Sequence, residues 1–285
     1  MNATSLLAFI RIPGNAVAFR IRRMIRWSRG TVELRQESKD DLFAYLTDDR
    51  LEAEARASEL EERYNLAPLA ALSTRSLYRK NLYLLDSLEK ATNGLPLPFE
   101  DGSGITALDV GSQDWYYVFA LERWLRKHNR SPDIPVNLTG IEIDAYEMCG
   151  GFRSRIDYAQ AYVKQTGNRH VRYLVGDFLQ WQELGHNILF IFYPLMLRYQ
   201  QLLWGLPLSC FNPQRMVENA AASIRPGGWL VVFCHSLPEH RRFLDVCHDN
   251  GSFTLLREGE AFSVLVDYHA ATRDRRFSIW VRRYA

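Results

Sequence analysis

The chain has 285 residues, enough for one large domain or two small ones, and 47% hydrophobic against 24% charged residues leaves material for a substantial core. A net charge of +2 excludes a polyelectrolyte nucleic-acid binder, yet the charge is uneven: residues 1–30 hold six arginines and no acid, so the remainder sums to −4. No run approaches the roughly eighteen uncharged apolar residues of a transmembrane helix.

Residues 16–29 read as a basic amphipathic helix. Val17, Ile21, Met24, Ile25 and Ser28 share one face, while Arg22, Arg26 and Arg29 share another, with Arg20 and Arg23 nearby. The plain outcome is a surface helix docked on its own domain through Val17, Ile21 and Ile25, its arginines in water. The functional outcome is attachment to an anionic membrane, nucleic acid or an acidic partner. Ala16-Val17-Ala18 imitates a signal-peptidase site, but no basic residue precedes Leu6, and Arg11 and Pro13 interrupt the apolar run, so secretion is not expected. Residues 37–64 read as a charged surface helix, closing an N-terminal helical extension over 1–65. Leu77, Leu82, Leu85 and Leu88 mark a buried helix over 66–88, stopped by Asn93-Gly94-Leu95-Pro96. A Pro/Gly/Ser linker follows to Gly104.

From Ile105 strands and helices alternate. Strands are expected at 105–110, 136–142, 171–175, 188–193 and 229–234. Helices are expected at 118–127, 146–165, 215–224 and 239–249, the third closed by Pro226-Gly227-Gly228. Strand-like runs at 253–257, 262–266 and 277–283 have no helix between them. The pattern predicts an α/β fold with a mostly parallel sheet and an antiparallel edge over residues 66–285. Cys149, Cys210, Cys234 and Cys247 show no CxxC spacing and no histidine cluster. They read as reduced thiols in a cytoplasmic protein, with no metal site.

The chemistry is carried by three strand ends: Leu108-Asp109-Val110-Gly111-Ser112, Gly140-Ile141-Glu142-Ile143-Asp144 and Gly176-Asp177-Phe178. Ligands of open parallel sheets bind at the carboxyl ends of the strands. Gly111 lets a ligand approach the backbone. Glu142 is placed to accept both hydroxyls of a ribose, with Asp144 as the alternative two residues on. Asp177 can accept from an exocyclic amine, with Phe178 as an apolar wall for a ring.

With the helix-to-strand run Ile224-Arg-Pro-Gly-Gly-Trp-Leu-Val-Val232, these motifs make residues 75–285 resemble the class I S-adenosylmethionine-dependent methyltransferases. The resemblance implies a Rossmann-like seven-stranded sheet whose last strand is antiparallel, with S-adenosylmethionine as cofactor. It implies that Asp109 and Gly111, with Ser112 and Gln113 in the same loop, line the methionine part. Glu142 and its neighbours Ile143 and Asp144 would meet the ribose, and Asp177 and Phe178 the adenine. The family loop often reads Asp-x-Gly-x-Gly-x-Gly; here Gln113 and Trp115 take the second and third glycine positions. A module that binds the cofactor without turning it over is therefore the alternative.

A dinucleotide site fits less well, because Gly102 and Gly104 precede the first strand instead of following it. Tyr193, at the fourth strand end, faces the methyl group in the resemblance. It precedes a single proline, so the Asn/Asp-Pro-Pro-aromatic motif of enzymes that methylate base amino groups is absent and nucleic acid is not indicated. His235 ends the fifth strand and is a candidate general base. No residue names the methyl acceptor.

Overall fold

The computed structural model describes residues 3–46, 49–99, 104–129, 133–266 and 274–284. Part of the expected linker, residues 100–103, lies outside them. Four helices precede the sheet: α1 (Ala3–Ile25), α2 (Arg50–Tyr64), α3 (Ala67–Ala71) and α4 (Arg75–Thr92). Then follow β1 (Ile105–Val110), α5 (Val118–His128), β2 (Val136–Glu142), α6 (Arg155–Gln165), β3 (Val171–Val175), β4 (His186–Phe192), α7 (Arg198–Leu203), α8 (Pro213–Ser223), β5 (Ile224–Cys234), α9 (Leu237–Asn250), β6 (Phe253–Glu260) and β7 (Arg276–Arg282).

The seven strands form one sheet in the order β3-β2-β1-β4-β5-β7-β6. The first five run parallel, and β7 is antiparallel to both β5 and β6. This is the mostly parallel sheet with an antiparallel edge that the alternation of elements predicts. The period-2 geometry of a strand sends alternate side chains to opposite faces. In β5, Trp229, Val231 and Phe233 enter a core shared with α2, α4 and α5, whereas Leu230, Val232 and Cys234 enter a second core shared with α8 and α9. Both faces are covered, which is why the parallel strands read as continuous apolar runs. Strand order reverses between β1 and β4, and a crevice opens there at the carboxyl ends.

Several local expectations are corrected. The helix expected over 66–88 is two, because Thr74 caps a new start by accepting from the Leu77 N–H. The helix expected over 146–165 begins only at Arg155, where Ser154 and Asp157 form a capping box. Residues 262–266 are not a strand but a turn. The Pro226-Gly227-Gly228 run does not stop α8; it is a bulge inside β5, over which pairing shifts from His186–Ile224 to Ile188–Trp229. A Cβ on Gly228 would stand 2.8 Å from the Asn187 carbonyl, so only glycine fits that bulge. α2 is not merely a surface helix: Ala53, Ala57, Leu60 and Tyr64 are buried, and Arg56 reaches the buried Asp86 at 2.7 Å.

The N-terminal helix differs most. It spans Ala3–Ile25 and ends before the 16–29 window does, with Arg26 left-handed at φ 52°. Its inner face is Arg11, Asn15, Phe19 and Arg22. Arg11 and Asn15 donate to the Leu202 carbonyl at the end of α7, and Arg22 forks onto Asp144. Val17, Ile21, Met24 and Ile25 do not pack on the domain; they are 57%, 44%, 78% and 58% exposed. Among the described residues no helix is long and apolar enough to cross a membrane.

Candidate functional site

The loop after β1 turns left-handed three times, at Gly111 (φ 74°), Gln113 (φ 55°) and Trp115 (φ 54°). These are the three positions at which the resembled family often carries glycine. The backbone of a glycine loop is thus kept with two ordinary side chains in it. What holds those residues in a region that disfavours a Cβ is a set of specific contacts. The Gly111 N–H donates to the Ile141 carbonyl at 2.9 Å. The Gln113 N–H donates to Glu142 Oε2 at 2.8 Å, and the Tyr173 hydroxyl donates to the Gln113 carbonyl. The Trp115 indole is fully buried and donates Nε1–H to Asp109 Oδ2 at 2.6 Å; the Tyr117 hydroxyl donates to the same oxygen at 2.8 Å. The indole lies on the backbone of Gly140, where an added Cβ would come within 2.7 Å of the ring.

Asp109 therefore works inside the loop. It is fully buried, lines neither cavity described below, and burial pushes its carboxyl up to about 7 against the pull of the two donors. Ser112 is also wholly buried and lines neither cavity.

The other strand-end residues converge on one cavity. Gly111, Gln113, Glu142, Ile143, Asp177 and Phe178 all line it. Glu142 is aimed by two backbone donors, Gln113 N–H onto Oε2 and Asp144 N–H onto Oε1, both at 2.8 Å. Each oxygen keeps acceptor capacity beyond that single bond. Arg155, at the start of α6, stands 3.7 Å from Oε1. Asp177 caps the short 3-10 turn Phe178–Gln180 by accepting from the Leu179 N–H at 2.9 Å through Oδ1. Asn219 on α8 donates to the Phe178 carbonyl at 2.7 Å and fixes that turn. Phe178, Ile191, Leu195 and Met216 make the cavity an apolar slot with carboxylates at its edge. Asp144 does not line it: Arg22 holds both its carboxylate oxygens, at 2.8 and 2.6 Å.

A second cavity adjoins the first, and Gly111, Gln113, Tyr193 and Trp204 line both. Tyr193 and His235 meet here as stacked rings, centroids 3.6 Å apart and 10° from parallel. Tyr193 is held left-handed at φ 65°, its N–H donating to the Phe233 carbonyl at 2.7 Å. Burial raises the Tyr193 phenol far above its usual range. Burial, helped by Arg275, lowers the His235 imidazole to about 4. His235 is therefore uncharged near neutral pH and a weak base. Glu239 pins both strand ends: Oε2 accepts from the His235 N–H at 2.7 Å and Oε1 from the Met196 N–H at 3.4 Å. Sequence reading missed Glu239, although Ser236-Leu-Pro-Glu239 has the spacing of a capping box. It also missed Asn219 and the Arg22–Asp144 pair; a lone asparagine on a helix and a fork across 122 residues leave no local signal. The four cysteines are free, and among the described residues no three His, Cys, Asp or Glu side chains cluster as metal ligands.

No family model and no curated protein sequence matches the chain. Solved structures similar to it in fold include a SAM-dependent methyltransferase from Aquifex aeolicus, at 15% identity, covering 71% of this chain and 93% of that one with a TM-score of 0.48. They include the N-methyltransferase NodS from Bradyrhizobium japonicum WM9 in complex with S-adenosyl-L-homocysteine, at 15% identity, 80% and 99% coverage and a TM-score of 0.45. They also include geranyl diphosphate C-methyltransferase from Streptomyces coelicolor A3(2), at 11% identity, 89% and 91% coverage and a TM-score of 0.49.

Proposed function

We propose that this chain is an S-adenosylmethionine-dependent methyltransferase. The observation that carries the reading is the Glu142 carboxylate, aimed by the Gln113 and Asp144 N–H groups into a cavity that Asp177 and Phe178 share. A nucleoside fits this donor and acceptor set. Glu142 would accept the ribose hydroxyls, Asp177 the adenine amine, and Phe178 and Ile143 would bound the ring and sugar. Gly111 and Gln113 would flank the methionine part, and Asp109 and Ser112 would shape the loop from beneath. Asp144 serves by holding Arg22.

When bound, the cofactor supplies a methyl group already activated for transfer. The protein's task is alignment and exclusion of water. Tyr193 stands where the two cavities meet, with His235 stacked on it in the second, and the pair would orient the acceptor, His235 as a neutral hydrogen-bond partner in place of a strong base.

Titration calorimetry tests this. S-adenosylmethionine or S-adenosylhomocysteine should bind in the micromolar range, about −8 kcal/mol, and NAD far more weakly. Absence of binding, or a preference for NAD, rejects the reading. Binding without turnover of any acceptor would favour the cofactor-binding module instead.

A second, compatible reading concerns residues 16–29. The exposed stripe Val17, Ile21, Met24 and Ile25 shares α1 with Arg20 and Arg23, and Arg26 and Arg29 follow the helix end; none of the four makes an ion pair among the described residues. An apolar stripe flanked by cations suits an anionic membrane surface, with about 1 kcal/mol per basic residue. Salt-sensitive flotation with phosphatidylserine vesicles, lost on deleting residues 1–30, is the expected result. Unchanged flotation of the truncated chain would dismiss it.

A further inference from the structure

We propose that the second cavity takes an uncharged planar aromatic molecule that carries a polar atom for the Ser87 hydroxyl. The inference rests on the methyltransferase reading for calling this guest the methyl acceptor.

The cavity, about 280 Å³, is walled by Tyr83, Tyr116, Tyr117, Phe192, Tyr193 and Phe233. These rings hold one another. Tyr116 meets Tyr117 edge to face at 5.2 Å, and Tyr117 meets Phe192 in the same way at 5.4 Å. Phe192 in turn lies 5.7 Å from Phe233. The wall is therefore set before a guest arrives, and a flat ring gains ring contacts with little ordering cost. The Tyr83 hydroxyl donates to the Ala261 carbonyl at 3.1 Å and the Tyr117 hydroxyl to Asp109 at 2.8 Å. Those two walls thus offer a guest mainly carbon surface.

Charge selects against an ionic guest. Lys80 and Arg275 line the cavity, but neither is a cation held ready for an anion. Lys80 is exposed, 5.3 Å from the Tyr116 centroid. Arg275 is engaged by the protein and lies 5.1 Å from the Tyr83 centroid and 5.9 Å from that of Tyr193. A carboxylate guest would lose water without gaining a dedicated partner, which is costly. An ammonium guest would compete with these cations for the ring faces and find no carboxylate among the described lining residues. Burial keeps the Tyr193 phenol and the His235 imidazole uncharged near neutral pH.

Ser87, on α4, supplies the polar contact. It is 2% exposed, lines this cavity and not the first, and its hydroxyl has no hydrogen-bond partner. A buried hydroxyl left unpaired points to a polar atom of a guest. A hydroxyl or carbonyl oxygen satisfies it without bringing a charge. Gly111, Gln113, Tyr193 and Trp204, shared with the first cavity, would then face the guest's other end.

The reference probe is 4-hydroxybenzyl alcohol. It is compared with 4-methylphenol, which lacks the second polar atom, and with 4-(hydroxymethyl)cyclohexanol, which lacks the flat ring. The charged counterparts are 4-hydroxybenzoate and 4-hydroxybenzylamine. Each is titrated into the full chain by ligand-observed NMR at neutral pH, with and without saturating S-adenosylhomocysteine. The aromatic alcohol should bind about three- to tenfold tighter than its saturated counterpart and than 4-methylphenol, and about tenfold tighter than either ion. Ser87→Ala should erase the advantage over 4-methylphenol and leave 4-methylphenol itself unchanged. Tyr116→Leu should shrink the advantage over the saturated ring; thermal melts verify both folds. Tightest binding of either ion, equal binding of flat and saturated rings, or no binding of any probe at millimolar concentration overturns the proposal. So does displacement of the alcohol by S-adenosylhomocysteine, which would give the cavity to the cofactor. A chain that binds S-adenosylhomocysteine but shows no aromatic preference overturns this guest and leaves the methyltransferase reading standing. One that binds no S-adenosylhomocysteine yet keeps the preference refutes that reading and upholds the aromatic site.

Discussion

Trp115 stands where the resembled family often has glycine, so Trp115→Gly would seem a mild return to type. The structure predicts otherwise. Removing a wholly buried indole costs about 3–5 kcal/mol in lost burial and cavity. It also takes from Asp109 a donor at 2.6 Å, inside a site with no water contact. Against this, glycine relieves a left-handed φ of 54°, worth about 1 kcal/mol. The net loss should be about 3–5 kcal/mol, a large share of a typical 5–15 kcal/mol. The sharper test is a double-mutant cycle with Gly140. In the wild type, Gly140→Ala drives a Cβ within 2.7 Å of the indole and should destabilise by about 1–3 kcal/mol. In the Trp115→Gly background that methyl enters the vacated space, and the same change should be neutral or stabilising. Urea denaturation followed by circular dichroism gives all four corners of the cycle. Additive effects, with Gly140→Ala equally harmful in both backgrounds, would refute the packing described for this loop.

Two further predictions concern the acids. Glu142→Ala should weaken S-adenosylhomocysteine binding by about ten- to a hundredfold, the worth of charge-assisted hydrogen bonds of roughly 1.5–3 kcal/mol. Asp144→Ala should weaken it less, since Arg22 occupies that carboxylate; the reverse ranking in a titration would move the ribose to Asp144. Asp109 titrates at about 7 in the folded chain, chiefly through burial, against about 3.9 when unfolded. Between these values the folded chain holds a proton that the unfolded chain releases, so Asp109's contribution to stability falls as pH rises from about 4 to 7 and then levels, by an amount on the order of 4 kcal/mol. Asp109→Asn should flatten that slope in urea midpoints taken across the window, and an identical slope in both chains would count against the buried carboxyl.

The sheet was legible because its buried strands announce themselves as short apolar runs between polar ends, and because each helix of the alternating region carries its own periodicity. Glu142, Asp177 and Phe178 were legible for the same reason: a strand end is a local event, and three in series imply one crevice. Asp109 was legible as a residue but not in its role. Its tie to Trp115 depends on a side chain six positions on folding back over Gly140, a contact between strands that no spacing encodes. The N-terminal helix shows the opposite limit. Its apolar stripe was visible in the sequence, but the face that docks is a different, mixed one. Arg11 and Asn15 find orphan carbonyls at the end of α7, Arg22 finds Asp144, and the buried Phe19 packs beside them, so hydrogen bonds to partners distant in sequence choose the docking face. The bulge at Pro226-Gly227-Gly228 was read as punctuation because proline and glycine usually end helices, whereas here they let β5 change register beside β4.

The three left-handed turns at Gly111, Gln113 and Trp115 have a thermodynamic consequence for any ligand of the first cavity. A loop of three glycines samples many conformations when empty and must be ordered each time a ligand arrives. Here Gln113 is held through its backbone N–H and carbonyl and Trp115 through its buried, hydrogen-bonded indole, so the ordering entropy is largely spent during folding. Ligand binding at this loop should therefore show a smaller unfavourable conformational entropy, at the expense of a fold that carries the strain permanently.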